Sequence, residues 1–260
     1  MELKFKKYHA AGNDFVLIDN RHNNFSFGAN KIQNICNRNL GIGADGFILL
    51  NKNKKFNFEM VYFNSDGIRS TMCGNGARCF VAFANKIGLI DEKIRFLAYD
   101  GVHEGFLIDK NFVKLTMCDV SLILQKPDFI YLDTGSPHHI IPSKDLEEIN
   151  VKLLGSKIRF SDIYKKQGVN VNFVEKISSD KFKIRTYERG VENETLSCGT
   201  GAVASAIAMS LLGETSSKEI KISTLGGKLF VAFNKRSNNK FTNVTLEGPV
   251  KFVYEGTIII

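Results

Sequence analysis

The chain has 260 residues, 43% of them apolar and 24% charged, which suits a globular protein of one large domain or two of about 130 residues each. Its net charge of +8 comes from 35 basic and 27 acidic residues, but the lysines are scattered at turn-like positions such as Lys52, Lys54, Lys55, Lys165 and Lys166, which speaks for solvated loops and against a nucleic-acid surface. No apolar stretch reaches the roughly 18 residues of a membrane span, and the five cysteines, odd in number and without C-x-x-C or zinc-type spacing, point to a reduced, cytoplasmic chain with no metal.

Residues 3–9 alternate as a strand, and residues 10–14 turn the chain into a short buried strand over 15–18. Ile32, Ile35 and Cys36 fall on one face of a short helix. Gly41-Ile42-Gly43-Ala44-Asp45-Gly46 is glycine-rich but lacks the Lys-Ser/Thr of a phosphate loop, so it reads as a turn into the strand over 47–50. A further strand over 56–63 ends at Asn64-Ser65-Asp66-Gly67. Met72-Cys73-Gly74-Asn75-Gly76-Ala77 then opens an apolar helical run over 79–84, which Gly88 stops.

The second half repeats this order. Ser197-Cys198-Gly199-Thr200-Gly201-Ala202 restates C-G-x-G-A at an offset of 125 (198 − 73) and opens a helical run to Leu212, stopped by Gly213. The strand ending at Tyr187-Glu188-Arg189 restates Tyr62-Phe63-Asn64 at the same offset (187 − 62), residues 135–141 stand where 12–18 stand, and Gly101 compares with Gly226 or Gly227. A repeat this long predicts two similarly folded domains. Their expected extents are 1–117 plus a C-terminal strand 250–260, carrying Cys73, and 118–249, carrying Cys198. The helical run after Cys198 has almost no polar face, and a helix apolar all round is buried all round. The predicted class is α+β: two pseudo-symmetric domains, each a curled, mostly antiparallel sheet wrapped around a central helix.

Each repeated cysteine sits beside a helix start, where unpaired N–H groups and the macrodipole favour a thiolate and offer a dock for a carboxylate. A single buried cysteine is usually a small hydrophobe, and that reading suffices for Cys36, Cys79 and Cys118. The repeated context reverses it for Cys73 and Cys198. His9, His22, His103 and His139 read as turn or surface residues. Asn13 could shape a turn, and Arg189 could pair with a nearby carboxylate such as Glu192.

Together, His9-Ala10-Ala11-Gly12-Asn13-Asp14-Phe15, Asn64-Ser65-Asp66-Gly67, Met72-Cys73-Gly74-Asn75-Gly76-Ala77-Arg78-Cys79, Tyr187-Glu188-Arg189-Gly190 and Ser197-Cys198-Gly199-Thr200-Gly201 resemble the diaminopimelate epimerases over nearly the whole chain. The related proline racemases typically carry His where Asn75 stands, and phenazine-type isomerases of the fold lack the cysteine pair. The resemblance implies an isomerase that interconverts LL- and meso-diaminopimelate without a cofactor, on the way to lysine and peptidoglycan. Cys73 and Cys198 match the family's catalytic pair, and His138 and Glu188 match residues that support the thiols. Asn13, Asn64, Gly74, Asn75, Asn170, Glu188, Arg189, Gly199 and Thr200 match its substrate contacts. Tyr254 matches a dimer-contact position, so a homodimer is expected, with no nucleic-acid or membrane partner. Gly46 stands where some members use Gln, and Ser136 where many have Asn, which touches recognition of the distal end of the substrate.

The chemistry fits these residues. Inverting a stereocentre means removing a weakly acidic Cα proton from one face and returning one to the other, which one thiolate and one thiol can do in both directions. Helix-start N–H groups would stabilise the charge that develops on the α-carboxylate. The alternatives are another amino-acid racemase of the fold, proline racemase-like, or a non-catalytic small-ligand binding protein.

Overall fold

The computed structural model describes residues 2–22, 25–70, 72–236 and 239–259; Met1 and Ile260, the outer ends of the expected first domain, lie outside these. The chain forms two compact units, Met1–Leu115 with Gly248–Ile260, and Thr116–Glu247.

In the first unit, Glu2–Ala10 (β1) and Asn13–Asp19 (β2) are followed by the helix Ala29–Cys36 (α1), then Gly46–Asn53 (β3) and Asn57–Asn64 (β4). The helix Gly74–Lys86 (α2) leads to Lys93–Ala98 (β5), Gly101–Asp109 (β6) and Phe112–Thr116 (β7). The C-terminal strand Lys251–Ile259 returns to pair antiparallel with β1. From that edge the strands run β1, β2, β3, β4, β5, β6, β7. Two neighbouring pairs, β2–β3 and β4–β5, are parallel. A parallel pair needs a crossover, and α1 and α2 are those crossovers.

The second unit repeats the plan. Ile123–Gln125 (β8), Ile130–Asp133 (β9) and Pro137–Pro142 (β10) precede the helix Val151–Arg159 (α3). Asn170–Lys176 (β11), Lys181–Glu188 (β12) and the short Asn193–Thr195 (β13) precede the helix Gly199–Leu211 (α4). Glu219–Thr224 (β14), Gly227–Lys235 (β15) and Phe241–Pro249 (β16) complete it. The strand order is β8, β9, β10, β11, β12, β14, β15, β16, with β10–β11 and β12–β14 parallel across α3 and α4. The correspondence extends to irregularities: β6 slips register between Leu107 and Asp109 and β15 between Ala232 and Asn234, each in the later half of its strand. Gly227, not Gly226, is the counterpart of Gly101, since each opens its strand with positive φ.

Both central helices are buried nearly all round, α2 from Gly74 to Ala84 and α4 from Gly199 to Ser210 apart from Thr200. Close packing fixes which residues meet. A Cβ on Gly105 of β6 would lie 2.3 Å from Val81 Cγ2 of α2, so only glycine fits there. The counterparts in the second unit are Ala206 (81 + 125) and Val231 (105 + 126, the offset of the Gly101–Gly227 pair). There the larger residue stands on the strand and the smaller on the helix. The crossover helices cover the outer faces: Ile32, Ile35 and Cys36 join a cluster with Val16 and Phe47, and Val151 joins one with Val171 and Tyr187.

Three expectations fail. Cys118, read as a small buried hydrophobe, is exposed. His103 and His139 are buried, not at turns or on the surface. His103 lies on β6 with Nε2 3.0 Å from Asp100, and His139 lies on β10, which is covered on both faces, stacked on Phe129 and bonded to the Tyr164 hydroxyl at 2.9 Å. Among the described residues no helix is long and apolar enough to cross a membrane.

Candidate active site

Cys73 is the N-cap residue of α2, with extended backbone (φ −107°, ψ 118°), and Gly74 and Asn75 form the first turn. The first backbone bond of the helix runs from Ala77 N to Cys73 O, so Gly74, Asn75 and Gly76 make up its first turn. The Cys73 S–H donates toward Asn13 Oδ1 at 3.8 Å. That same oxygen accepts from Asn75 Nδ2 at 3.1 Å, while Asn13 Nδ2 donates to Asp45 Oδ2 at 2.8 Å. Asn13 thus lies at the start of β2 and links cysteine, helix start and carboxylate, which is more than shaping a turn.

Beneath Asn13 lies a charged frame. Asp14 pairs with Lys7 (2.9 Å) and Arg38 (2.8 Å), and Arg38 also reaches Asp45 (2.8 Å). Burial alone would raise the Asp14 pKa, but hydrogen bonds from Arg38 and Lys7 outweigh it and hold the carboxyl well below the usual range. Asn64, at the end of β4, accepts from the Tyr62 hydroxyl at 2.8 Å, which sets the direction of its amide. A Cβ at Gly46 would lie 2.6 Å from Tyr62 Cε2, so the Tyr62 ring fills the space that a longer side chain there would need.

Cys198 caps α4 with nearly the same backbone (φ −118°, ψ 112°), but its sulfur has a different hydrogen-bonding role. Its Sγ accepts from the Gly201 N–H at 3.3 Å and lies 3.5 Å from Thr200 Oγ1. Thr134 Oγ1 donates to the Thr200 carbonyl at 3.1 Å and holds the turn. Behind the turn, Asn172 Oδ1 accepts from Thr186 Oγ1 at 3.0 Å. The Asn172 Nδ2 therefore donates to His138 Nδ1 at 3.0 Å, which leaves the His138 proton on Nε2. His138 is fully buried; desolvation first, and Arg189 second, push its pKa down to about 3, so the ring is neutral at neutral pH.

Asn170, at the start of β11, donates to Ser136 Oγ at 3.0 Å and accepts from Arg189 N at 2.9 Å, so the Ser136 hydroxyl is engaged by a neighbouring amide. Arg189 Nη1 donates to the Gln167 carbonyl at 2.7 Å. Glu192, the carboxylate expected as its structural partner, pairs instead with Arg159 at 3.2 Å. Among the described residues no carboxylate pairs with Arg189. Gly168 runs beneath both arginines: with φ +69°, its Cβ would lie 2.6 Å from Arg189 Cδ and from Arg159 Cζ. Glu188 accepts from Thr195 Oγ1 at 2.6 Å.

The site residues therefore collect within each unit: Asn13, Asn64, Cys73, Gly74 and Asn75 in the first, His138, Asn170, Glu188, Arg189, Cys198, Gly199 and Thr200 in the second. Tyr254 lies apart, on the C-terminal strand, edge-on to Phe5 and donating to the Ile42 carbonyl at 3.4 Å. Sequence reasoning missed Asp45, Thr134, Asn172 and Arg78; Arg78 lies inside the repeated-cysteine motif and Asp45 inside the glycine-rich turn, while Thr134 and Asn172 show no motif of their own. Cys36 and Cys79 are buried, and desolvation raises both thiols, Cys36 to about 12, which makes them inert. Among the described residues no cluster of three or more His, Cys, Asp or Glu is placed to hold a metal.

The family model for diaminopimelate epimerase matches residues 5–117 and 130–253. The chain is 50% identical to a diaminopimelate epimerase of Flavobacterium psychrophilum, over 98% of this chain and all of the relative, and 40% identical to one of Chlorobaculum tepidum, over 96% and 99%. Solved structures with similar folds include a phenazine biosynthesis protein of Bacillus anthracis (TM-score 0.77, 14% identity, all of both chains) and a hydroxyproline epimerase of Agrobacterium vitis (TM-score 0.72, 13% identity, 99% and 92%). At those identities the two structures speak to the fold alone, and they bear out the α+β class. By its sequence along nearly its full length, the chain belongs to the diaminopimelate epimerase family.

Proposed function

We propose that this protein is an isomerase that epimerises LL-diaminopimelate to meso-diaminopimelate through Cys73 and Cys198, with no cofactor. One observation carries the reading beyond family membership: both repeated thiols cap buried helices, with Gly74-Asn75 and Gly199-Thr200 as the helix-start positions that would face the carboxylate. In this account the two thiols address one Cα from opposite faces, and the α-carboxylate lies against the two helix starts. As the proton leaves, negative charge moves onto that carboxylate, where the N–H groups and helix dipoles stabilise it.

The two sulfurs are prepared differently. Cys73 donates its S–H to Asn13, which favours the thiol, and Cys198 accepts an N–H from Gly201, which favours the thiolate. The pair then holds one proton between them and titrates as a unit. His138, neutral with its proton on Nε2, supplies a further donor in the second unit, and Glu188 stands with it as the residue that supports the thiols. Arg189, anchored at one end by Gln167, suits the distal carboxylate through a two-pronged contact. Asn64 and Asn170 supply the remaining polar contacts. With glycine at 46, no side chain reaches the substrate from that position.

The reading includes a cytoplasmic homodimer joined near Tyr254, a residue 42% exposed on the C-terminal strand. Sedimentation of wild type and Tyr254→Ala tests that part. The activity itself is tested by incubating purified protein with LL-diaminopimelate, proline and glutamate and following Cα epimerisation without added pyridoxal phosphate. Turnover of diaminopimelate alone, abolished by Cys73→Ala and by Cys198→Ala, is expected. Turnover of proline instead, or binding without exchange, would replace this reading with one of the two alternatives.

A further inference from the structure

Arg78 is the largest of the fully buried side chains, and its position defies the usual rules for a cation. Arginine is rarely buried completely unless a carboxylate pairs with it. Here none does among the described residues, and Nε has no hydrogen-bond partner. Arg78 also sits on α2 and leans back toward the N-terminus, the end of the helix dipole that repels positive charge. Nη1 donates to the Gly74 carbonyl at 3.3 Å and Nη2 to Asn75 Oδ1 at 2.6 Å, four and three residues earlier in the helix. Burial lowers its pKa to about 10, which still leaves it charged at neutral pH.

The bonds made by Arg78 decide two amide orientations. Arginine only donates, so the Asn75 oxygen must face it and Asn75 Nδ2 must face away, toward Asn13 Oδ1. At the far end Asp45 only accepts, so Asn13 Nδ2 faces Asp45 and Asn13 Oδ1 faces Asn75 and Cys73. A donor-only cation and an acceptor-only carboxylate thus bracket two amides that could otherwise flip, and the acceptor beside the Cys73 sulfur is the result.

We infer that Arg78 is a positioning residue for the Cys73 half of the reaction: it orients Asn75 and, through it, Asn13 on the Cys73 thiol, and it holds an uncompensated positive charge behind the helix start where the thiolate and the substrate carboxylate acquire negative charge. The inference rests on the epimerase reading for its second half, the substrate carboxylate, but not for its first.

The charged and titratable groups around Arg78 leave Cys73 as the one its loss would reveal. Cys73 and Cys79 on its own helix feel its charge. From the sheet, Asp14 of β2 and Tyr8 of β1 act on Cys79, and His103 of β6 is turned to Asp100. Desolvation raises Cys79 and Tyr8, and Asp14 is held low, so none of these three titrates between pH 6 and 9.

The test uses the full chain. In a Cys198→Ala background, iodoacetamide alkylation of Cys73 is followed against pH by peptide mass, for Arg78, Arg78→Met and Arg78→Lys. Epimerisation kinetics are measured for the same changes with Cys198 intact. Arg78→Met should shift the alkylation midpoint up by about one pH unit, so that labelling at pH 7 slows about tenfold, and should lower kcat more than it raises KM. Its melting temperature should hold or rise, since an unpaired buried charge is gone. Arg78→Lys should restore the alkylation profile but not kcat, because it keeps the charge and loses the two-pronged hold. If the methionine variant fails to fold, the lysine variant decides by itself: wild-type kcat would overturn the inference. An alkylation profile unmoved by Arg78→Met would overturn it too. A shift on Arg78→Met, with a wild-type protein that never epimerises diaminopimelate, would sink the functional reading and leave the Arg78–Asn75–Asn13–Cys73 chain standing.

Discussion

Alanine at Gly201 should inactivate the protein, while alanine at its repeat counterpart Gly76 (201 − 125) should be tolerated. Both positions lie in the first turn of a central helix, where replacing glycine would ordinarily gain up to about 1 kcal/mol of helix propensity. Their surroundings differ. A Cβ at Gly201 would stand 2.4 Å from Asn172 Oδ1 and 3.1 Å from Cys198 Sγ. Asn172 is fully buried and bonded to both Thr186 and His138, so it yields only by breaking those bonds. Overpacking and a lost buried hydrogen bond together cost about 2–4 kcal/mol, which outweighs the propensity gain and leaves a net loss of about 1–3 kcal/mol. At Gly76 the closest atom is the terminal carbon of Ile48, at 3.0 Å, a flexible end that can shift by tenths of an ångström, and Met60 Cε and Phe15 Cε1 lie at 3.4 Å, ordinary contact distance. The Gly76 change should stay within about 1 kcal/mol of wild type. Thermal melts would read this as a drop of roughly 2–12 °C for Gly201→Ala and a few degrees at most for Gly76→Ala. Solvent exchange of the Cα proton should fall at least about a hundredfold for Gly201→Ala, since the sulfur and its N–H donor both move. A Gly201→Ala protein that melts higher and turns over normally would refute the tight packing of the Cys198 turn.

Arg189→Lys keeps the charge but loses planar two-pronged geometry, so steady-state assays should show a large rise in KM for diaminopimelate; unchanged kinetics would make Arg189 structural. Acid should destabilise the fold in two stages, read as denaturation midpoints from pH 7 to 3. His138 and His139 titrate at about 3 and about 4 when folded, mainly through desolvation, against 6.5 unfolded, so below pH 6.5 the unfolded chain binds protons that the native one does not. Stability then falls by up to about 1.4 kcal/mol per pH unit for each histidine. Asp14, depressed in the fold, contributes stability above pH 4 that is lost as pH falls further. A flat profile from pH 6.5 to 4.5 would contradict the burial of both histidines.

The repeat was legible because it is carried by glycine, cysteine and apolar spacing, which read the same before and after folding. The all-round burial of α4 followed from Ala202, Ala204, Ala206 and Ala208 leaving no polar face. The start of α2 was less plain: Gly74-Asn75-Gly76 are poor helix formers, and the apolar run begins only near Cys79, yet the helix begins at Gly74. Long-range pairing was the harder part. Glu192 turns to Arg159 across α3, and Asp45 meets Asn13 across a crossover, choices that no local pattern fixes. His139 and Arg78 were misplaced or passed over for one reason. Polar residues usually stay outside, and each is buried here only because strand or helix neighbours enclose it on every side.

The two-thiol account stands or falls on where the product's Cα hydrogen comes from. With wild-type protein and LL-diaminopimelate in heavy water, each epimer is sampled at early times by proton NMR or mass spectrometry. If Cys73 and Cys198 serve opposite faces, the meso product carries deuterium at the inverted carbon from its first appearance, while unreacted substrate gains it much more slowly. Product that keeps the original hydrogen would mean one base working on both faces, and would contradict the account.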